Sequence, residues 1–95
     1  MDIKKIIEDY KDEAFKILAD LVSCESVLDE YKPNTDAPFG LEAKRALDTL
    51  LNKANNDGFI TKNVDNYAGH IEFGCGDEIL GILAHLDVVP VVKEE

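Results

Sequence analysis

Ile79-Leu80-Gly81-Ile82-Leu83-Ala84-His85-Leu86-Asp87-Val88-Val89-Pro90 begins with six uncharged residues and then brings in a histidine, an aspartate and a proline. A short, almost wholly apolar run of this kind suits a strand buried on both faces, as in the middle of an α/β sheet. The C-terminal ends of such strands are where open α/β sheets bind ligands. Side chains two apart on a strand point the same way, so His85 and Asp87 are expected on one side as the chain leaves the sheet. A neutral imidazole is a good zinc ligand, and a neighbouring carboxylate fixes its tautomer and orientation. Pro90 lacks an N–H and ends any ladder. By spacing alone, a His and an Asp two apart are more often an ordinary surface or capped pair than a metal site, and it is the apolar strand leading into them that favours the metal reading.

Upstream of this run the hydrophobic period is helical. Ile3, Ile6, Ile7, Tyr10, Ala14, Ile17, Leu18, Leu21 and Val22 recur at three- and four-residue steps, which predicts an amphipathic helix from about Ile3 to Leu21 with Asp2 as its N-cap. Ser23 to Gly40 has no such period and holds Pro33, Asn34, Asp36, Pro38 and Gly40, so it reads as a long loop. Leu41, Leu47, Leu50, Leu51 and Ala54 mark a second amphipathic helix. Asn55, Asn56, Asp57 and Gly58 end it, with Gly58 suited to the left-handed position after a helix. The period then changes. Phe59–Val64 is expected to be a strand, Asp65-Asn66-Tyr67 a turn, and Ala68–Phe73 the returning strand. Gly74-Cys75-Gly76-Asp77 is read as another turn. It precedes a strand instead of joining a strand to a helix, so it is not a phosphate-binding loop. Gly81 permits close backbone packing within the apolar run. The expected fold is thus α/β: two N-terminal amphipathic helices, a β-hairpin and a buried strand.

Composition bounds the rest. Ninety-five residues make one small domain, and 45% apolar with 32% charged residues is the composition of a globular chain. The net charge of -10 repels phosphate backbones and anionic lipid, so nucleic acid and membrane surfaces are not expected partners. Neither a signal peptide nor a membrane span is legible, and a cytoplasmic location is expected by default. Cys24 and Cys75 form no metal-binding pair and are expected as free thiols in a reducing compartment, with a disulfide as the alternative. Cys24 has no basic neighbour in sequence and is read as a packed or loop thiol, not a nucleophile. His70, in the returning strand, is read as an exposed or cross-strand residue in preference to a ligand.

HLDVVP (85–90), preceded by ILGILA (79–84), resembles the first metal-binding motif of the zinc aminopeptidase-like superfamily, which includes peptidase V, carnosinases, aminoacylases and desuccinylases. LVSCESV (21–27) is similar to that family's post-helix segment, APFGLEAKRALDTLLNKANNDGF (37–59) to its second helix, and TKNVDNYAGHIEFG (61–74) to its first hairpin. The long loop VLDEYKPNTDAPFG (27–40) favours the peptidase V branch, because aminoacylase-like members tend to have a shorter connection. The resemblance implies that residues 1–95 form the N-terminal portion of one metallopeptidase catalytic domain, truncated after its first motif. It implies a dipeptidase hydrolysing small unblocked dipeptides with two metal ions, usually zinc. His85 would be a ligand to one ion and Asp87 the carboxylate that orients it. One histidine does not select zinc over manganese or cobalt.

The family continues after its proline with a glycine-containing turn and usually Gly-Trp, whereas Val91, Val92, Lys93, Glu94 and Glu95 follow here and the chain has no Trp. The bridging aspartate, the general-base glutamate and the later ligands belong downstream in the family, so this chain alone is expected to be inactive and to hold no metal tightly. The alternatives are a piece of an aminoacylase- or desuccinylase-type amidohydrolase, or a non-catalytic domain piece that self-associates or needs a complementing chain. The substrate-binding residues are not legible.

Overall fold

In the computed structural model, which describes residues Met1 to Pro90, the element order is α1 (Ile3–Val22), α2 (Leu41–Asn56), β1 (Ile60–Val64) and β2 (Ala68–Glu72). The expected departure from the family over Val91–Glu95 lies outside the described residues. Both helices and the hairpin therefore form where periodicity predicts them, with ends shifted by no more than two residues.

Local chemistry sets the boundaries. Asp2 caps α1: its carboxylate accepts the Lys5 N–H at 3.2 Å, satisfying one of the donors a helix start leaves free. At the far end of α2, Gly58 takes φ 93°. Its N–H donates to Asn55 O at 3.1 Å while the Phe59 N–H donates to Ala54 O at 3.0 Å. That pair of bonds is the Schellman arrangement, which needs a residue free to be left-handed. The hairpin turns through Asp65 and Asn66, both at positive φ (54° and 63°), with Tyr67 N–H donating to Val64 O at 2.9 Å. Asn and Asp tolerate this region better than other non-glycine residues. Asn66 is further held by Asn63, whose side-chain oxygen accepts its N–H at 2.7 Å.

β1 and β2 pair antiparallel, with Ile60 opposite Glu72, Lys62 opposite His70 and Val64 opposite Ala68. The hairpin lies on α2 through a glycine. A Cβ added at Gly69 would come 2.9 Å from one Leu51 methyl carbon and 3.0 Å from one of Leu47, so the strand backbone rests directly on those leucines. Ala46, Leu47, Ala54, Cys24 and Pro38 make up a small buried core around α2. Tyr31, Phe39 and Tyr67 tie the long loop to the hairpin turn. Phe39 and Tyr67 meet edge-on at 5.2 Å between ring centres, and the two tyrosine hydroxyls hydrogen-bond at 2.8 Å. Lys53 links α2 to α1 through Glu13 and also binds Asp57. These two carboxylates hold the lysine ammonium above its ordinary pKa, Asp57 more than Glu13.

The expected buried strand over Ile79–Ala84 is not formed. From Phe73 to Pro90 the chain is neither helix nor strand, apart from a bend at Gly76-Asp77. Ile79, Leu80, Ile82 and Leu83 are 85–102% exposed. The physical reason is that a strand exists only in a ladder, and the two-stranded hairpin, the sheet among the described residues, does not pair with this run. The apolar stripe of α1 is also uncovered: the helix has no buried residue, and Ile3, Ile7, Tyr10, Phe15 and Leu18 are each more than half exposed. No helix among the described residues is long and apolar enough to cross a membrane.

Candidate functional site

His85 and Asp87 come together as their spacing predicts, although not at the end of a sheet strand. His85 Nδ1 lies 2.9 Å from Asp87 Oδ1 and 3.1 Å from the Asp87 carbonyl oxygen. A carboxylate and a carbonyl can only accept, so Nδ1 carries the proton and donates to both. In a neutral ring so bonded, the lone pair is on Nε2, which is the tautomer that can ligate a metal through Nε2. Both side chains are open to solvent, at 82% and 73% exposure, so a ligand can reach them. The donor set therefore fits one ligand position of a metal centre. Among the described residues no group of three or more His, Cys, Asp and Glu could hold an ion. Among the described residues His85 and Asp87 are thus a pair and not a complete metal site.

What holds this pair in place is a contact that sequence reasoning missed. The Ser23–Ser26 segment, just after α1, meets the motif across 60 residues of chain. Ser26 Oγ donates to Leu86 O at 3.0 Å, and Val88 N–H donates to Ser26 O at 3.0 Å. On its other side the segment is fixed to α2. Arg45 Nη2 donates to Ser23 O at 2.8 Å, and the Glu25 N–H donates to Glu42 Oε1 at 3.4 Å. Arg45 grips Glu42 with both Nε and Nη2 at 2.7 and 2.9 Å. That guanidinium holds the Glu42 carboxyl below its ordinary pKa, helped by the Glu25 amide. Nothing local in the sequence marks Ser26 for this clasp, whose two sides lie 60 residues apart.

The remaining candidates lie elsewhere. His70 projects from β2 opposite Lys62, half exposed, with Nδ1 3.7 Å from Glu72 Oε1. Cys24 is buried and Cys75 exposed, and both thiols are free. A groove of about 620 Å³ runs along the long loop and the start of α2 and is lined in part by Glu25, Val27, Asp29, Phe39 and Glu42. It flanks Ser26 on both sides in sequence but includes neither His85 nor Asp87.

No protein-family model matches the chain. Curated relatives carry a dipeptidase name. Proteins called "Putative dipeptidase" from Staphylococcus aureus strains USA300, COL and MW2 are each 45% identical to it over 87 residues. The match covers 92% of this chain and 19% of each relative, so the chain spans about a fifth of the length of the curated relatives it matches.

Proposed function

We propose that this chain is the opening part of the catalytic domain of a metal-dependent dipeptidase of the peptidase V type, working in the cytoplasm on small unblocked dipeptides. The observation that carries the reading is the His85–Asp87 pair, whose 2.9 Å bond leaves Nε2 free, in a chain 45% identical to proteins named as dipeptidases.

In this reading His85 supplies one imidazole ligand to a dinuclear centre, zinc being the expected metal with manganese or cobalt as substitutes. A metal held there would supply polarisation of the scissile carbonyl and a water of lowered pKa. Asp87 keeps the proton on Nδ1 and holds the ring plane, so that the Nε2 lone pair keeps one direction. Its loss should weaken metal binding or activity about 10–100-fold. Among the described residues this reading finds one ligand, where a catalytic zinc ordinarily has about three from protein. The 95 residues therefore hydrolyse no dipeptide by themselves and hold no zinc at stoichiometric, chelator-resistant occupancy.

The test uses the protein that carries this chain, isolated at its native length. Chelation should abolish hydrolysis of an unblocked dipeptide, and zinc, manganese or cobalt should restore it. Hydrolysis that persists after complete metal removal would refute the proposal.

A further inference from the structure

Two peptide units flank the Asp87 α-carbon, and Ser26 holds both. The first, between Leu86 and Asp87, presents Leu86 O to the Ser26 hydroxyl at 3.0 Å. The second, between Asp87 and Val88, presents Val88 N–H to Ser26 O at 3.0 Å. In a parallel ladder a residue sits between its partner's neighbours, accepting from one and donating its own N–H to the other. Ser26 cannot complete that pattern with its backbone, because its N–H is already spent on Cys24 O at 2.8 Å. Its side chain takes the place of the missing donor. The residue is 1% exposed, so the hydroxyl has no water to turn to and its bond to Leu86 O is the one that satisfies it.

The geometry reaches the histidine in one step. The Asp87 carbonyl that His85 Nδ1 touches at 3.1 Å belongs to the same planar peptide unit as the Val88 N–H that Ser26 holds. Holding the two units restrains the Asp87 φ and ψ, and with them the direction of its carbonyl and of the Cα–Cβ bond that carries its carboxylate. Ser26 is itself anchored to α2 through Ser23, Glu25, Arg45 and Glu42, so the clasp transmits the position of a regular helix to a stretch that has no regular structure of its own.

We propose that Ser26 is the positioning residue of the His85–Asp87 pair, clamping the peptide units on either side of Asp87 and thereby fixing the tautomer and direction of the His85 ring. The inference rests on the reading of that pair as functional, but its test does not involve metal. In the full 95-residue chain, without metal and at alkaline pH where the ring is neutral, ¹⁵N shifts of the imidazole read which nitrogen carries the proton. Amide exchange reads the Val88 N–H. Wild type should show the Nδ1–H form and a protected Val88 amide. Ser26→Ala should return the ring to the Nε2–H form that free histidine prefers and speed Val88 exchange about tenfold. Ser26→Thr, which keeps the hydroxyl, should retain both wild-type signatures. Amides of the β1–β2 hairpin serve as the control for folding and should be unmoved in both variants. An unchanged tautomer in Ser26→Ala, or its equal loss in Ser26→Thr, would overturn the proposal. Because no metal is present, a negative result here leaves the ligand role of His85 intact. A failure of that role in turn leaves the clamp standing.

Discussion

Gly69 and Gly58 are both glycines for a reason, and the reasons differ. At Gly69 the constraint is space: a Cβ would lie 2.9–3.0 Å from methyl carbons of Leu47 and Leu51. At Gly58 it is backbone: φ is 93° and a Cβ would meet nothing within 4 Å. Gly69→Ala should therefore lose about 1–3 kcal/mol by overpacking. Gly58→Ala should lose about 1–2 kcal/mol from left-handed strain alone. Urea unfolding separates them further when Leu51→Ala is added. The shorter side chain should recover much of the Gly69→Ala loss and none of the Gly58→Ala loss. Additive costs in the Gly69→Ala, Leu51→Ala pair would contradict the packing account. Gly58 was legible from its place after a run of Asn and Asp. Gly69 was not, because nothing local marks a strand residue whose backbone will lie on another element's leucines.

The elements themselves were largely readable, since each is written in a local signal. A helical period with Asp2 ahead of it gave α1, and a change of period after Gly58 gave the hairpin. What joins them is less local. Glu42 and Arg45 look in sequence like an ordinary exposed pair on one helix, yet in the fold they reach Glu25 and Ser23. Their pH dependence follows from the sign of the shift. The Glu42 carboxyl is held below its ordinary value near 4.5, chiefly by the Arg45 side chain. Any stability it adds is thus fully present above that value and is lost as pH falls through the lowered one. Glu42→Gln should be less stable than wild type at neutral pH, and the gap should close in acid. Solvent exposure keeps the effect small. Urea midpoints at the two pH values check this, and a gap that widens in acid would contradict it.

At the scale of the whole molecule the most informative feature is what remains uncovered. Ile79, Leu80, Ile82 and Leu83 stand almost fully in solvent, although burying such a side chain stabilises by about 1.5–3 kcal/mol. The sequence carried the apolar run and so the tendency to be a buried strand. It could not carry the partner, since ladder pairing belongs to two segments at once. An apolar, uncharged six-residue run without proline is also a site for association between chains. The 95-residue chain should therefore self-associate as its concentration rises. Ile82→Lys with Leu83→Asp should shift it toward monomer in sedimentation, leaving the helical circular-dichroism signal in place. A wild-type chain that stays monomeric throughout would show that the run is covered in some other way. The meeting of His85 and Asp87 was legible, because two-residue spacing brings side chains together in an extended stretch, but the sheet strand expected to carry them does not form. The clasp from Ser26 was not legible, because it depends on a contact 60 residues away.

The proposed roles of His85, as a metal ligand of a dipeptidase, and of Asp87, as the carboxylate that orients it, can be separated by substitution. The most direct test is metal content by elemental analysis, with dipeptide hydrolysis measured alongside, on the native-length protein and its His85→Ala and Asp87→Asn variants. The account predicts that His85→Ala loses bound metal and activity together, and that Asp87→Asn keeps the ligand but binds metal or turns over about 10–100-fold less well. Wild-type metal content and activity in His85→Ala would contradict it.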